Sequence, residues 1–109
     1  MTAPWPIGLS TGCFYRHSIF HVLEEIRASG FNTIEVCSFP PHLNYHNEEE
    51  VRSAGEMMRA LGLRPFSFHA PFADRIDITS GDDGVREASV AELLTACRAA
   101  SLLGAENVV

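Results

Sequence analysis

Three segments of the chain share one order of residue types, and this repeat limits the possible folds more than any other feature. A helical pattern ends at a glycine, one small or apolar residue and two connecting residues follow, and an apolar run begins. The segments are ASGFNTIEV (28–36), ALGLRPFSF (60–68) and LLGAENVV (102–109). Gly30, Gly62 and Gly104 stand where a helix end favours a left-handed backbone. The repeat therefore predicts three helix-to-strand units.

The segments before these glycines have the apolar periodicity of helices. Ser18 is a plausible cap for the first helix, and Asn47, followed by three glutamates, for the second. The third helix is expected from about residue 84. The stripes predicted to be buried are Ile19, Phe20, Val22, Leu23 and Ile26, then Val51, Ala54, Met57, Met58 and Leu61, then Val90, Leu93, Leu94, Cys97 and Ser101.

The apolar runs predict four strands, at about residues 7–12, 33–38, 65–69 and 106–109. Strands that alternate with helices favour a parallel sheet with right-handed crossovers. The sequence therefore predicts a single α/β domain over residues 1–109.

The predicted strands alternate in character instead of being apolar throughout. Side chains alternate across a strand, so each set lies on one side of the sheet. One side is apolar, and the other is small, polar or ionisable. The first set is Ile7, Leu9, Ile34, Val36, Phe66 and Phe68, and the second is Gly8, Ser10, Glu35, Cys37, Ser67 and His69. Helices on the apolar side alone are typical of an arc of a (β/α) barrel with a polar interior. A doubly wound sheet is the alternative that this alternation disfavours.

The length of the chain limits how much of a barrel it forms. Eight strand–helix units need about 250 residues, and this sequence has 109. We therefore expect a parallel half-barrel, the first four strands and three helices of a TIM-type barrel. Two open sheet edges invite pairing, so we expect either a homo-oligomer or part of a longer protein.

Two ionisable residues on the polar side are the main catalytic candidates. His69, in SFHAPFA (67–73), ends the third strand at the edge where such sheets bind ligands, and it is a candidate metal ligand or base. The structural alternative is a hydrogen-bonded core histidine. Glu35 faces the same interior and is a candidate base, with an internal ion pair as an equally weighted alternative.

Residues in the connecting loops are candidate substrate contacts. His42 and His46 lie in SFPPHLNYHN (38–47), Cys13 and Phe14 in STGCFYRH (10–17), and Asp74 in the polar loop over 73–84. Loops at the carboxyl edge of a barrel gather substrate contacts. The alternative for each is an ordinary loop or core residue.

The amino-acid composition indicates which binding partners and which cellular compartment to expect. The formal charge is −6, and the eight basic residues are all arginine, so a nucleic-acid partner is not expected. The sequence shows neither a signal peptide nor a membrane span. Three widely spaced cysteines are most simply explained by a reduced, cytoplasmic protein.

IGLSTGCF, GFNTIEV and especially SFHAPF resemble the sugar phosphate isomerase/epimerase superfamily, the xylose isomerase-like barrels that include endonuclease IV. The likeness runs from Ile7 to Val109. It implies a (β/α)8 barrel that binds a sugar or sugar phosphate and a divalent metal (Mn, Mg, Co or Zn). It also implies that His69 is a metal ligand, that Glu35 matches an acid of the second strand, and that residues 42–46 form a substrate loop.

The resemblance leads to three expectations about function. The first is the N-terminal half of a divalent-metal-dependent sugar or sugar-phosphate isomerase or epimerase, incomplete alone because most metal ligands of that superfamily lie on strands five to eight. The second is a non-catalytic half-barrel module that associates with itself. The third is a fragment of an endonuclease IV-like DNA-repair enzyme, against which the −6 charge argues.

Overall fold

The computed structural model describes residues 5–109, in which strands and helices alternate as the repeat predicts. A short 3-10 turn over Thr11–Phe14 follows the first strand. The elements are β1 (Leu9–Ser10), α1 (Ile19–Ala28), β2 (Thr33–Cys37), α2 (Glu48–Leu61), β3 (Arg64–His69), α3 (Asp83–Leu103) and β4 (Asn107–Val108).

The four strands form one parallel sheet in the order β1-β2-β3-β4. Within the register, Leu9 lies opposite Ile34 and Val36 opposite Phe68. Consecutive parallel neighbours joined by helices are the arrangement of one arc of a (β/α) barrel. The predicted α/β fold class is therefore confirmed.

Most helix ends are formed by the residues that the sequence marks; the exception is Ser18, which precedes α1 but makes no side-chain capping hydrogen bond. Gly30, Gly62 and Gly104 have φ angles of 98°, 70° and 90°, the left-handed values predicted for them. At the start of α2, the Asn47 side chain accepts hydrogen bonds from the backbone N–H groups of Glu49 and Glu50. These bonds satisfy donors that have no partner within the helix.

The core lies between the sheet and the helices, where Ile34, Val36 and Phe68 are buried against α1 and α2. The predicted stripes of these two helices are confirmed. The fully or largely buried members are Ile19, Val22, Leu23, Ile26, Val51, Ala54 and Met58, and the partly buried ones are Phe20, Met57 and Leu61.

The predicted stripe of the third helix is wrong for four of its five residues, and only Leu93 is half-buried. Val90 and Leu94 are 47% and 55% exposed, and Cys97 and Ser101 are also exposed. The buried face of α3 consists mainly of small side chains: Ser89, Ala96, Ala99, Ala100 and Leu103. Small residues let α3 approach α2 closely, and a Cβ added to Gly55 of α2 would lie 3.1 Å from the Leu103 carbonyl oxygen. The bulkier stripe therefore faces away from α2.

The first strand is shorter than predicted. After Ser10 the chain turns, because the Ser10 hydroxyl accepts a hydrogen bond from the Gly12 N–H at 3.1 Å. The Thr11 hydroxyl then accepts the Cys37 N–H at 2.9 Å. Ile7 precedes the strand and is 74% exposed, so its predicted place on the helix-facing side is wrong.

The alternation predicts that Phe66 lies on the helix-facing side, and this prediction is also wrong. The register shifts between Ile34, which lies opposite Pro65, and Glu35, which lies opposite Ser67. Phe66 is the additional residue on β3. It lines a groove beside Arg64 on the polar side of the sheet, opposite the helices, which is called the concave side below. A bulge of this kind sends one side chain to the other face.

We expect the cap of α2 to contribute measurably to stability. Asn47→Ala should lower the free energy of unfolding by about 1 kcal/mol, because two N–H groups lose their acceptor. Asn47→Ser keeps an acceptor and should stay within a few tenths of a kcal/mol of wild type. Urea denaturation of the three proteins measures this difference. Equal stability of the Ala and Ser variants would contradict the assignment.

Candidate active site at the carboxyl edge of the sheet

A cleft of about 500 Å³ lies where β2 and β3 end. Its walls are mainly apolar and aromatic, and its principal side chains are Tyr15, Cys37, Phe39, Tyr45, His69 and Phe72. Because the strands are parallel, their carboxyl ends share this edge, where (β/α) barrels bind ligands. The cleft is therefore the candidate active site.

His69 lies at this edge as the last residue of β3, directly opposite Cys37 in the sheet. Its Nδ1 is 2.8 Å from the carbonyl oxygen of Ala70, so Nδ1 carries the proton and donates it to that carbonyl. The Phe72 ring lies 5.4 Å from the imidazole. In the neutral imidazole, this hydrogen bond leaves the Nε2 lone pair available to a metal ion.

Glu35 lies on the same side of the sheet as His69. It is opposite Ser67, whose hydroxyl donates a hydrogen bond of 2.7 Å to Glu35 Oε2. Glu35 lines a separate groove of about 460 Å³, nearer the amino ends of the strands. Arg64 of that groove pairs with Glu106, at 2.5 and 2.8 Å. Glu35 therefore shares the concave side with His69 but does not line the same cleft.

The structure does not support a substrate contact for His42. Its side chain has no exposed surface, and Nδ1 lies 2.5 Å from the carbonyl oxygen of His17. The His42 carbonyl in turn accepts the Ile19 N–H at 2.9 Å. His42 thus ties the connector after β2 to the start of α1. This is a correction of the predicted role, because the imidazole turns into the protein.

His46 lies beside the cleft rather than in its lining. Its Nε2 is 2.6 Å from Glu92 Oε1, and its ring lies against Tyr45 with ring centres 4.5 Å apart. The side chain is half exposed. His46 therefore contacts the cleft wall through Tyr45.

The three other predicted contacts lie outside the cleft lining. Cys13 is exposed on the 3-10 turn. Phe14 borders a groove between α1 and Leu9 of β1, and Asp74 borders a shallow groove beside Phe72. The structure therefore does not bring these residues together with His69.

The sequence model of the xylose isomerase-like TIM barrels matches residues 23–109. The chain belongs to this family. No curated protein matches the sequence. A solved structure of a D-psicose 3-epimerase, determined in the presence of D-fructose, superposes with a TM-score of 0.79 at 15% identity. The match covers 93% of this chain and 35% of that one, so the chain spans about a third of the epimerase. At this identity, the likeness shows the fold.

The described part of this xylose isomerase-like chain does not contain a full set of metal ligands. Within residues 5–109, no group of three or more histidine, cysteine, aspartate or glutamate side chains is placed to hold a metal ion. His69 Nε2 is suited to be one ligand.

Among residues 5–109, no helix is long and apolar enough to cross a membrane.

Several residues of the cleft were not among the predicted site residues. Phe39 and Phe72 lie beside prolines in the loops that follow β2 and β3, and Tyr45 lies between the two predicted histidines. Glu92 is further away in sequence, on α3, and reaches the cleft through Tyr45. An aromatic residue next to proline just after a strand is a signal that could have identified Phe39 and Phe72. The sequence offers no comparable signal for Glu92.

We expect His42 to make folding sensitive to acid. Burial lowers the pKa of His42 below its usual range. As pH falls below about 6.5, His42 binds a proton in the unfolded chain but not in the folded chain. The free energy of unfolding therefore falls on acidification. Between pH 7.5 and 5, wild type should lose on the order of 1 kcal/mol more than His42→Gln, whose amide can still donate to His17. Urea denaturation at both pH values tests this, and an identical loss in both proteins would contradict it.

Proposed function

We propose that this chain forms part of a divalent-metal-dependent sugar or sugar-phosphate isomerase or epimerase. One observation carries the proposal: at the carboxyl edge of a xylose isomerase-like sheet, His69 holds its Nδ1 proton on the Ala70 carbonyl and keeps Nε2 available. A neutral imidazole fixed in this way is suited to bind a metal ion. The remaining ligands would come from outside the described residues.

In this proposal Glu35 is the proton-transferring carboxylate. Ser67 holds one carboxylate oxygen, Oε2, and leaves Oε1 to accept a proton from a carbon beside a carbonyl group. A positioned carboxylate of this kind contributes about 10²–10⁴-fold to a proton transfer. Because Glu35 lines its own groove, the substrate would extend along the concave side from the cleft toward Glu35.

The cleft walls suit the substrate that we propose. Tyr15 and Phe39 meet edge to face with ring centres 5.5 Å apart, and both are partly exposed. Aromatic faces bind the C–H surfaces of a sugar ring, while a few polar groups set its orientation. Because the D-psicose 3-epimerase was solved with D-fructose, ketoses are the first substrates to test.

The proposed function is tested by metal-dependent turnover of ketoses and ketose phosphates, measured on the protein together with the strands that complete its sheet, in an oligomer or in a longer chain. After chelation, activity should return on addition of Mn, Mg, Co or Zn. His69→Ala should lower activity about 100-fold through loss of a ligand, and Glu35→Gln should do so through loss of a base. His21→Ala is the matched control, since His21 is exposed on α1 and outside the cleft. Full activity in His69→Ala, or after chelation, would contradict the proposal.

A second candidate function, self-association, is favoured by the edges of the sheet. Among the described residues, β1 pairs only with β2, and β4 only with β3. Val108, on the β4 edge, is partly exposed. A parallel strand of a second copy could pair with each open edge. Light scattering after gel filtration would show a dimer, and a monomer at all concentrations would exclude this candidate.

The remaining expectations are proposals about the setting of the protein. Cys13, Cys37 and Cys97 are free thiols, which is consistent with a reducing cytoplasm. The formal charge of −6 would repel a phosphate backbone, so the DNA-repair alternative is the least favoured.

A further inference from the structure

Glu92 lies on α3, outside the cleft lining, yet it is bonded to a residue that forms the cleft wall. The Tyr45 hydroxyl donates a hydrogen bond to Glu92 Oε1. The same oxygen lies 2.6 Å from His46 Nε2. One carboxylate oxygen therefore joins α3 to two consecutive residues of the connector between β2 and α2.

Tyr45 is held on several sides by these contacts. Its side chain is almost fully buried and lines the cleft. The ring meets Phe68 edge to face, with centres 6.4 Å apart, and lies against the His46 ring. Because the Tyr45 hydroxyl donates its hydrogen bond to Glu92, Tyr45 offers the cleft its ring and has no further hydrogen bond to donate to a ligand.

The ionisation states of both residues favour this bond. The Tyr45 hydroxyl, helped by the His46 imidazole, holds the pKa of Glu92 below its usual range, so Glu92 is a carboxylate at neutral pH. Burial and the neighbouring Glu92 raise the pKa of Tyr45, which stays a protonated donor. A neutral donor on a charged acceptor is among the stronger hydrogen bonds in proteins.

The backbone of this connector is fixed by bonds that do not involve Glu92. The Asn44 N–H donates to Glu50 Oε1 at 3.0 Å, and the His46 N–H donates to Asn44 Oδ1 at 3.2 Å. Asn47 caps α2. Removal of the Glu92 carboxylate should therefore release the Tyr45 and His46 side chains while the loop and the helix keep their places.

We propose that Glu92 is a positioning residue that sets the shape and the polarity of the cleft by holding Tyr45. As far as the ligand is concerned, this inference rests on the proposed sugar-converting function. With Tyr45 held, the wall is an aromatic surface suited to the C–H face of a sugar. With Tyr45 released, the wall gains a mobile hydroxyl and the cleft opens.

A first experiment follows the cleft without any turnover. Cys37 lines the cleft, and peptide mass spectrometry can follow its alkylation by iodoacetamide separately from that of the exposed Cys13 and Cys97. In Glu92→Ala, the Cys37 rate should rise about tenfold, as expected for loss of a charge-assisted hydrogen bond. Glu92→Gln should lie between this variant and wild type, because its amide oxygen can still accept the Tyr45 hydroxyl.

The controls separate a local effect from unfolding. Glu87→Ala removes an exposed glutamate from the same helix and should leave the Cys37 rate unchanged. The Cys13 and Cys97 rates should match wild type in all variants, and far-ultraviolet circular dichroism should be unaltered. If Glu92→Ala does not fold, Glu92→Gln and Tyr45→Phe decide the question. A Cys37 rate equal to wild type in every folded variant overturns the proposal.

A second experiment tests the consequence for substrate. For a ketose that the wild-type protein converts, Glu92→Ala should raise KM about tenfold and change kcat less than about twofold, because the wall binds substrate and takes no part in proton transfer. Combining Glu92→Ala with Tyr45→Phe should add little to either single change. A fall in kcat at unchanged KM overturns the positioning role. If wild type, assembled with the strands that complete its sheet, converts no sugar, the proposed function fails, and the Cys37 experiment still decides the role of Glu92.

Discussion

The register between β2 and β3 is the constraint on which the rest of the structure depends. Glu35 lies opposite Ser67, and Cys37 lies opposite His69, so the polar side chains of both strands share one side. Val36 and Phe68 meet on the other side, under the helices. A slip of one residue would bury the ionisable groups beneath the helices and expose the phenylalanine. The extra residue at Phe66 is therefore tolerated only because it lies before this paired section.

The connector between β2 and α2 shows how one irregular segment both stabilises the fold and builds the site. His42 turns inward and links the loop to the start of α1 through His17 and Ile19. Three residues later, Tyr45 turns toward the cleft and is held by Glu92. His42 thus lies in the core although its side chain is polar, while Tyr45 both packs against the core and lines the cleft. Burial of His42 does not place a charge in the core, because its lowered pKa keeps the imidazole neutral and Nδ1 keeps one hydrogen bond.

The sequence was sufficient wherever structure follows from local rules. The left-handed glycines, the cap at Asn47 and the alternation that places Glu35 with His69 all depend on neighbours in the chain. It was insufficient where distant contacts decide. The face that α3 buries depends on its close approach to α2, which favours alanines over the bulkier Val90 and Leu94. Which side chain of the 38–47 connector points into the cleft depends on α1 and α3, so His42 was misjudged and Glu92 was not found.

The open edges of the sheet and the lone position of His69 in the proposed site have a common physical origin. In a parallel sheet, every strand that joins an edge brings its carboxyl end to the same rim. His69 lies at this rim with one free ring nitrogen, while the described residues hold no set of three metal-binding side chains. Strands that pair with β1 and β4, from this chain or from another, would therefore satisfy exposed backbone groups and bring further side chains toward His69 in the same step. Closure of the sheet and completion of the proposed site would then be one event, in which the free energy of strand pairing also orders the side chains around His69.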